Sequence, residues 1–498
     1  MNVNPITRLD YPDPDVIRVE DTYYMVSTTM HFMPGCEILQ SFDLVHWEHA
    51  TYVYETLDHT DAQQLKSGQN IYGQGMWAAS LRYHEGRFYI CFVANDTRKT
   101  YLYTSEKIDG PWKKQLIEGF YHDGSLLFDE DGRNYIVYGN DEIWITELNE
   151  DLTAPKKDGL HRLLVSDHKN PKLGYEGSHI QKINGYYYIF LIHSLRDRWM
   201  RTEACFYSDS LEGEFTGGDV LCDDRGYCGQ GVAQGGIVDT PDGKWYAMLF
   251  QDSGAVGRIP ILLPVTWKDH FPVFGQNGHV PEEIEVHSTR PGYIYQPLVG
   301  SDDFCNGLLP RWQFNHDPDP QYYHLDALQG TYTITTREVC TELTQAVNTL
   351  TQRMSYPSCA AEVTVDASAL KEGDVAGLCA FQGCYAAVGI TKHHGKYEVL
   401  MLDKKEDGIL DMTEGTVVES HQMDFRLEAD FCNMKDEARC YYRVNKGDWL
   451  PIGTVHKLYF KLDHFTGCRF GLFCYAAEET GGSACFRDFK YYDVDEIS

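Results

Sequence analysis

Glu20-Asp21-Thr22-Tyr23-Tyr24-Met25-Val26, Glu85-Gly86-Arg87-Phe88-Tyr89-Ile90, Asp131-Gly132-Arg133-Asn134-Tyr135-Ile136, Asn184-Gly185-Tyr186-Tyr187-Tyr188-Ile189 and Asp242-Gly243-Lys244-Trp245-Tyr246-Ala247 are five versions of one phrase. Each places an Asp-Gly, Asn-Gly or related turn ahead of a run of β-formers, the signal of a hairpin entering its second strand. The marker aromatics Tyr24, Tyr89, Tyr135, Tyr188 and Tyr246 are 65, 46, 53 and 58 residues apart, which suits four-stranded blades with loops of unequal length. A second phrase recurs as Ser41-Phe42-Asp43-Leu44-Val45-His46-Trp47, Ser105-Glu106-Lys107-Ile108-Asp109-Gly110-Pro111-Trp112 and Ser208-Asp209-Ser210-Leu211-Glu212-Gly213-Glu214-Phe215. It reads as the turn into an outer blade strand. The fold class predicted is all-β, with a five-bladed β-propeller over residues 1–295.

After Phe271-Pro272-Val273-Phe274-Gly275 the pattern stops, and residues 276–300, rich in Gly, Pro and polar groups, read as a connector. A different alternation begins beyond it, in Gly330-Thr331-Tyr332-Thr333-Ile334-Thr335, Ala361-Glu362-Val363-Thr364-Val365 and Tyr397-Glu398-Val399-Leu400-Met401. Short strands of this kind over residues 301–498 predict a β-sandwich, closed by the strand around Cys485-Phe486-Arg487-Asp488-Phe489.

Composition narrows the partners. A chain of 498 residues exceeds one core and divides into domains. A formal charge of −31 and a pI near 4.9 argue against nucleic acid and against an anionic membrane. Met1-Asn2-Val3-Asn4-Pro5 lacks the basic and apolar regions of a signal peptide. Fifteen cysteines scattered without Cys-x-x-Cys pairs suit reduced thiols, so the expected location is cytoplasmic, with no zinc site. Aromatic residues make up 13% of the chain; they can form platforms for sugar rings or simply fill β cores.

The repeat also sets a register. Twelve residues before the marker aromatic stand Trp77, Asp123, Glu176 and Gln234, and eleven before Tyr24 stands Asp13. If the copies are blades around an axis, Asp13, Asp123 and Glu176 converge at one mouth of the central channel. Three carboxylates in one cleft repel, so at least one should hold its proton to higher pH. Two carboxyl groups flanking a glycosidic bond are the minimum equipment for hydrolysing it, and a separation of about 6.5–9.5 Å admits a water and inverts the product. The plain alternatives are turn or capping acids and a calcium site.

Asn4-Pro5, Tyr11-Pro12-Asp13-Pro14, Asp21-Thr22-Tyr23-Tyr24, Phe32-Met33-Pro34-Gly35, Ser41-Phe42-Asp43-Leu44, Met76-Trp77-Ala78, Asp123-Gly124-Ser125-Leu126, Glu176-Gly177-Ser178-His179 and Leu262-Leu263-Pro264-Val265-Thr266-Trp267, in that order, resemble glycoside hydrolase family 43. Its known members are β-xylosidases and α-L-arabinofuranosidases built on a five-bladed propeller. Asn348-Thr349-Leu350-Thr351-Gln352-Arg353 and Gly373-Asp374-Val375-Ala376-Gly377-Leu378 are similar to the concanavalin-like sandwich that closes many of its exo-acting enzymes. The resemblance implies Asp13 as general base, Glu176 as general acid, and Asp123 as the residue that orients Glu176 and holds its pKa up by like-charge repulsion. It further implies Phe32 and Trp77 as walls of the sugar subsite and Arg258 as a hydrogen-bond donor to pentose hydroxyls, with core packing or a surface position as their alternatives. His179 supports the acid or packs inside the blade.

Two departures stand out. The fifth blade of many relatives offers a His to a channel calcium, where this chain has Gln234, so no cofactor is required and a structural Ca2+ is a possibility only. The Pro usual after Glu-Gly is Ser178. The rival invertase and levansucrase class is disfavoured because no Asn-Asp-Pro-Asn start and no Arg-Asp-Pro triplet occur. The expected function is an inverting, exo-acting release of terminal pentoses, α-L-arabinofuranose or β-D-xylose, from short oligosaccharides. The alternative is a non-catalytic carbohydrate-binding propeller with a vestigial or metal-holding triad. The expected partner is a small oligosaccharide, with self-association left open, and the sandwich is expected to cover one side of the cleft.

Overall fold

The computed structural model describes residues 2–461 and 464–493. Five four-stranded antiparallel sheets follow one another along the chain, each from consecutive strands except that blade one passes over the short strand Phe32–Met33. Their inner strands are Asp15–Val19, Met76–His84, Ser125–Phe128, Glu176–Ile183 and Ala233–Asp239, and each pairs with the strand that carries the marker tyrosine. The hairpin turns fall where the repeat places them: Val19 pairs with Thr22, His84 with Arg87 and Ile183 with Tyr186. Asn184 and Gly185 both take positive φ, 51° and 84°, the backbone a two-residue hairpin turn of this kind requires. The second phrase closes the third strand of its blade. Ser41 Oγ accepts the Asp43 and Leu44 N–H groups, Ser105 Oγ that of Lys107, and Ser208 Oγ that of Ser210.

The blades form a ring because a strand turns successive side chains to opposite faces. In the second strand of blade four, Tyr187, Ile189 and Leu191 pack with Tyr135, Val137 and Ile145 of blade three. Tyr188 and Phe190, on the other face, pack with Ala247, Leu249 and Ile261 of blade five. Equivalent apolar clusters join blades one and two, two and three, and five and one. The ring is clasped by the first residues of the chain. Asn2–Val3 pairs with Glu283–Ile284, while Asn4 Nδ2 donates to the Leu262 carbonyl at 2.7 Å and Asn4 Oδ1 accepts the Leu262 N–H at 3.1 Å.

The stretch read as a connector is bound along part of its length. Arg290 pairs with Asp21 at 2.7 Å and lies over the Phe42 ring, and Tyr293 and Tyr295 pack on the same ring, so residues 290–295 strap blade one.

Beyond it stand two large sheets, one of seven strands and one of nine, with an apolar core between them. The nine-stranded sheet includes a piece of the propeller: Phe32–Met33 pairs with Gln313–Asn315. Its outer face, with Phe381, Tyr385, Leu402 and Phe473, packs with Phe32 of blade one. The seam is also polar. Arg353, almost fully buried, pairs with Glu37 of blade one at 2.8 Å, donates from Nε to the Asp10 carbonyl at 2.8 Å and lies over the Tyr11 ring.

Removing one partner of a buried ion pair leaves the other charge uncompensated, at a cost of about 3–5 kcal/mol. Arg353→Met is therefore expected to lower the denaturant midpoint markedly, because Glu37 is left charged at the seam. Arg439→Ala, on a half-exposed side chain of the sandwich, is expected to leave that midpoint unchanged. Urea unfolding followed by tryptophan fluorescence compares the two.

Candidate active site

Each inner strand has one residue in the left-handed region, within its first three residues or two residues ahead of it. These are Asp13 (φ 53°), Ala78 (23°), Asp123 (48°), Gly177 (65°) and Gln234 (59°). In blades two, four and five the residue sits in a β-bulge, between Trp77 and Ser80, Glu176 and His179, and Ala233 and Gly236. Side chains of the preceding blade satisfy the bulge backbone. Thr28 Oγ1 accepts the Ala78 N–H at 2.9 Å, Asp123 Oδ2 that of Gly177 at 2.9 Å and Glu203 Oε2 that of Gln234 at 2.7 Å. The true blade equivalents are thus 13, 78, 123, 177 and 234, and the twelve-residue count overshoots to Trp77 and Glu176 because the hairpins of blades two and four turn in two residues where those of blades three and five take five. Trp77 and Glu176 instead flank the bulge, and a bulge re-aims the side chain beside it.

Asp13, Asp123 and Glu176 nevertheless line one cavity of about 210 Å³, together with Trp77, His122, Leu173, Trp199, Arg201, Gln234, Arg258 and Phe465. Asp13 is fixed at both oxygens: Arg258 Nη1 donates to Oδ1 at 2.7 Å and Thr28 Oγ1 to Oδ2 at 2.5 Å. Asn140 Nδ2 donates to Glu176 Oε2 at 2.6 Å. The Glu176 side chain is 22% exposed and that of Asp13 only 3%.

His122, one residue before Asp123, changes the charge balance foreseen for the three acids. Its Nε2 lies 3.5 Å from Asp123 Oδ2 and 3.6 Å from Glu176 Oε2. Burial alone disfavours the imidazolium, but Asp123, Glu176 and Asp13 outweigh it and push His122 up to about 9. Burial lifts Asp123 to about 6, with Glu176 and Asp13 adding to it against the pull of His122. Burial also pushes Glu176 up, yet His122, with Arg201 and Arg258, holds it below its ordinary value. The carboxyl raised in this site is Asp123, and the expectation that Asp123 keeps Glu176 protonated is corrected by the cation standing between them.

The other expected residues divide. Trp77 and Arg258 line the cavity; Trp77 meets Phe465 edge-on, with ring centres 5.0 Å apart. Phe32 and His179 do not line it. Phe32 is buried at the seam beneath Arg469, whose guanidinium lies 3.5 Å from the ring centre, because its backbone is recruited into the sandwich sheet. His179 turns into the channel and bonds through Nδ1 to Asp15 Oδ1 at 3.1 Å. His122, Leu173, Trp199, Arg201 and Phe465 were missed. Only His122 left a local signal, its position beside an acid in register. Phe465 comes from the sandwich and lies over Arg258, with the guanidinium 4.0 Å from its ring centre.

Calcium does not fit these residues. Among the described residues, His122, Asp123 and Glu176 are the group whose ligand atoms converge, within 4.8 Å. One imidazole and two carboxylates facing two guanidinium groups are far from the six to eight oxygens calcium takes. Gln234 lies against Gly177, where an added Cβ would stand 2.7 Å from its side chain. Farther along the axis the Arg82 guanidinium donates to Asp15, Ser125 and the carbonyls of Leu81, Leu126 and Ile180. It spans four of the five inner strands and takes the oxygens a channel cation would need.

Both domains are similar to those of known proteins. Residues 3–272 match the family model described as glycosyl hydrolases family 43, and residues 301–492 match the β-xylosidase C-terminal concanavalin A-like domain. A solved structure of a bifunctional GH43-CE protein from Bacteroides eggerthii superposes with a TM-score of 0.92 at 42% identity. That similarity covers 99% of this chain and 63% of the other, so the chain spans less than two thirds of that protein. A β-xylosidase of Formosa agariphila is 26% identical over 99% of this chain and 89% of its own length. A xylosidase/arabinosidase of Butyrivibrio fibrisolvens is 24% identical over 99% of each.

Proposed function

The chain belongs to glycosyl hydrolase family 43, and from that membership we propose that it is an inverting, exo-acting enzyme. It releases terminal α-L-arabinofuranose or β-D-xylose from short xylan- or arabinan-derived oligosaccharides. One observation carries this reading: acids from three blades face a single cavity whose wall is completed by Phe465 of the sandwich. At about 210 Å³ the cavity is smaller than the roughly 300–1,000 Å³ of pockets that hold drug-sized ligands, a size suited to one sugar ring. Relatives named for xyloside and arabinoside cleavage support the substrate class.

In this mechanism Asp13, oriented by Arg258 and Thr28, takes a proton from water as the water oxygen bonds to the anomeric carbon. The glycosidic C–O bond breaks on the opposite face, and the leaving oxygen takes the proton of Glu176. Asp123 orients the acid through the Gly177 N–H that it fixes. Glu176 must carry a proton before the bond breaks, although His122 opposes it. Protons in the His122, Asp123 and Glu176 cluster are shared: one rests on His122, and Asp123, which burial lifts to about 6, holds a second that Glu176 can draw on. Fifteen unpaired cysteines support a cytoplasmic location, and no helix among the described residues is long and apolar enough to cross a membrane.

Asp13→Ala and Glu176→Ala are each expected to lower kcat on aryl arabinofuranosides and xylosides at least about a hundredfold, with the Glu176 loss smaller for leaving groups of low pKa. Undiminished turnover in either variant removes that residue from the mechanism, and a first-formed sugar of retained configuration by proton NMR rejects inversion. Intact oligosaccharide recovered after binding would mark a carbohydrate-binding propeller instead.

The wild-type kcat/KM is expected to fall as pH rises through about 6, where the cluster loses its second proton. His122→Asn removes a cation that repels this proton, so the falling limb moves to higher pH. A limb that stays in place takes His122 out of the proton balance. Phe465→Ala is expected to raise KM for an aryl pentoside about tenfold through lost apolar contact, and to let products longer than one sugar appear in chromatograms of oligosaccharide digests.

A further inference from the structure

The central channel has a second mouth. Along the inner strand Met76–His84, Trp77 lines the catalytic cavity, while Tyr83 and His84 line a bowl of about 450 Å³ at the other end of the channel. All five inner strands contribute to this bowl, and it shares no lining residue with the catalytic cavity. Arg82, bonded across the channel to Asp15, Ser125 and the Ile180 carbonyl, stands between the two.

The polar groups of the bowl fall into two sets. Its charges are spent on one another: Arg18 pairs with Asp239, Lys182 with Asp129 at 2.6 Å and Glu130 at 3.2 Å, and Arg82 with Asp15 at 2.8 Å. A ligand of net charge therefore finds no unmatched partner there. The uncharged groups are left open. Gln181 Nε2 donates to the Ile237 carbonyl at 2.7 Å, but its amide oxygen, the Tyr83 hydroxyl and the Trp245 indole N–H have no hydrogen-bond partner among the described residues and keep access to solvent. Aromatic rings stand beside them. Tyr83 is 44% exposed, His84 and Phe128 stack with centres 4.6 Å apart and planes within 7°, and Trp245 meets Trp267 edge-on at 5.7 Å.

Sugars offer hydroxyls to uncharged donors and acceptors and offer C–H faces to aromatic rings; Tyr and Trp, apolar in the body with one polar end, meet both needs. From this match we infer that the second mouth is a non-catalytic binding site for a neutral oligosaccharide, with Tyr83 and Trp245 as its ring contacts. The bowl lies within the roughly 300–1,000 Å³ typical of ligand sites, which leaves room for more than one sugar ring. It holds its ligand without cleaving it, because Asp239 and Glu130, the carboxylates that line it, are paired to Arg18 and Lys182. One molecule can then carry an oligosaccharide at each end of the channel.

The test titrates the full-length wild type, Trp245→Ala and Tyr83→Ala with thio-linked xylotetraose, whose C–S bonds resist hydrolysis, and follows binding by calorimetry. The wild type is expected to show a binding event that either variant weakens about tenfold through lost ring contact, while kcat/KM on an aryl pentoside stays unchanged. Tyr83, with its exposed side chain, serves if Trp245→Ala does not fold. Binding that neither variant alters, or no binding at all, overturns the proposal. So does a bowl that takes up the apolar dye Nile red, by a fluorescence change lost in Trp245→Ala, and shows no response to the sugar. The outcome is separable from the reading of the catalytic cavity: a chain that hydrolyses no pentoside yet loses xylotetraose binding in these variants keeps this site and sinks that reading.

Discussion

Every blade of the propeller faces two different neighbours, and this requirement organises the molecule. Because side chains alternate across a strand, the triple Tyr186-Tyr187-Tyr188 supplies blade three with one ring and blade five with another. Five such apolar contacts close a circle, and closure leaves no sheet face exposed between blades. A circle of inner strands also has an axis, at whose mouth their first residues must meet. Acids separated by more than fifty residues, such as Asp123 and Glu176, become neighbours for the same reason that the aromatic residues are buried.

The turns and the blade count were readable because Asn-Gly and Asp-Gly turns constrain backbone directly, and because apolar alternation records which faces are buried. What lay outside the reading has particular physical causes. Hairpins of two and of five residues carry the same turn phrase, so counting back twelve from Tyr89 and Tyr188 runs to Trp77 and Glu176, one position past the left-handed residues Ala78 and Gly177. Phe32 carries no mark of its main-chain pairing to Asn315, nearly three hundred residues away. Phe465 and Arg201 line the site through tertiary placement alone, one on a loop of the second domain and one at the start of a third blade strand. His122 was within reach, since a basic residue flanking an acid in register has consequences for its charge.

The sandwich shapes the site by the way it is attached. Its nine-stranded sheet takes in Phe32–Met33 as an added strand, and the Cys468 N–H donates to the Ala255 carbonyl at 2.8 Å. These bonds place Phe465 and Arg258 face to face, since Cys468 follows the first by three residues and Ala255 precedes the second by three. A main-chain seam of this kind fixes position more tightly than side-chain packing alone. The arginine that orients Asp13 is therefore held from both domains, and the sandwich contributes Phe465 to a pocket whose other lining residues come from the propeller.

The chain carries a formal charge of −31, yet its cavity is close to neutral. Four carboxylates, Asp13, Asp123, Glu176 and Asp252, face three cations, Arg201, Arg258 and His122. Burial on its own raises every carboxyl group, and like charges add to it, so three acids without cations would all drift toward protonation and leave no base. The cations divide the acids instead. Asp13 receives an arginine and a threonine at its two oxygens, Glu176 receives an imidazolium and an asparagine, and Asp123, spending one oxygen on the backbone of Gly177, is left as the group that rises. A proton admitted to this cluster thus settles among His122, Asp123 and Glu176, while Asp13, held by Arg258 and Thr28, stays outside that sharing, an asymmetry of the kind that single-displacement chemistry at an anomeric centre uses.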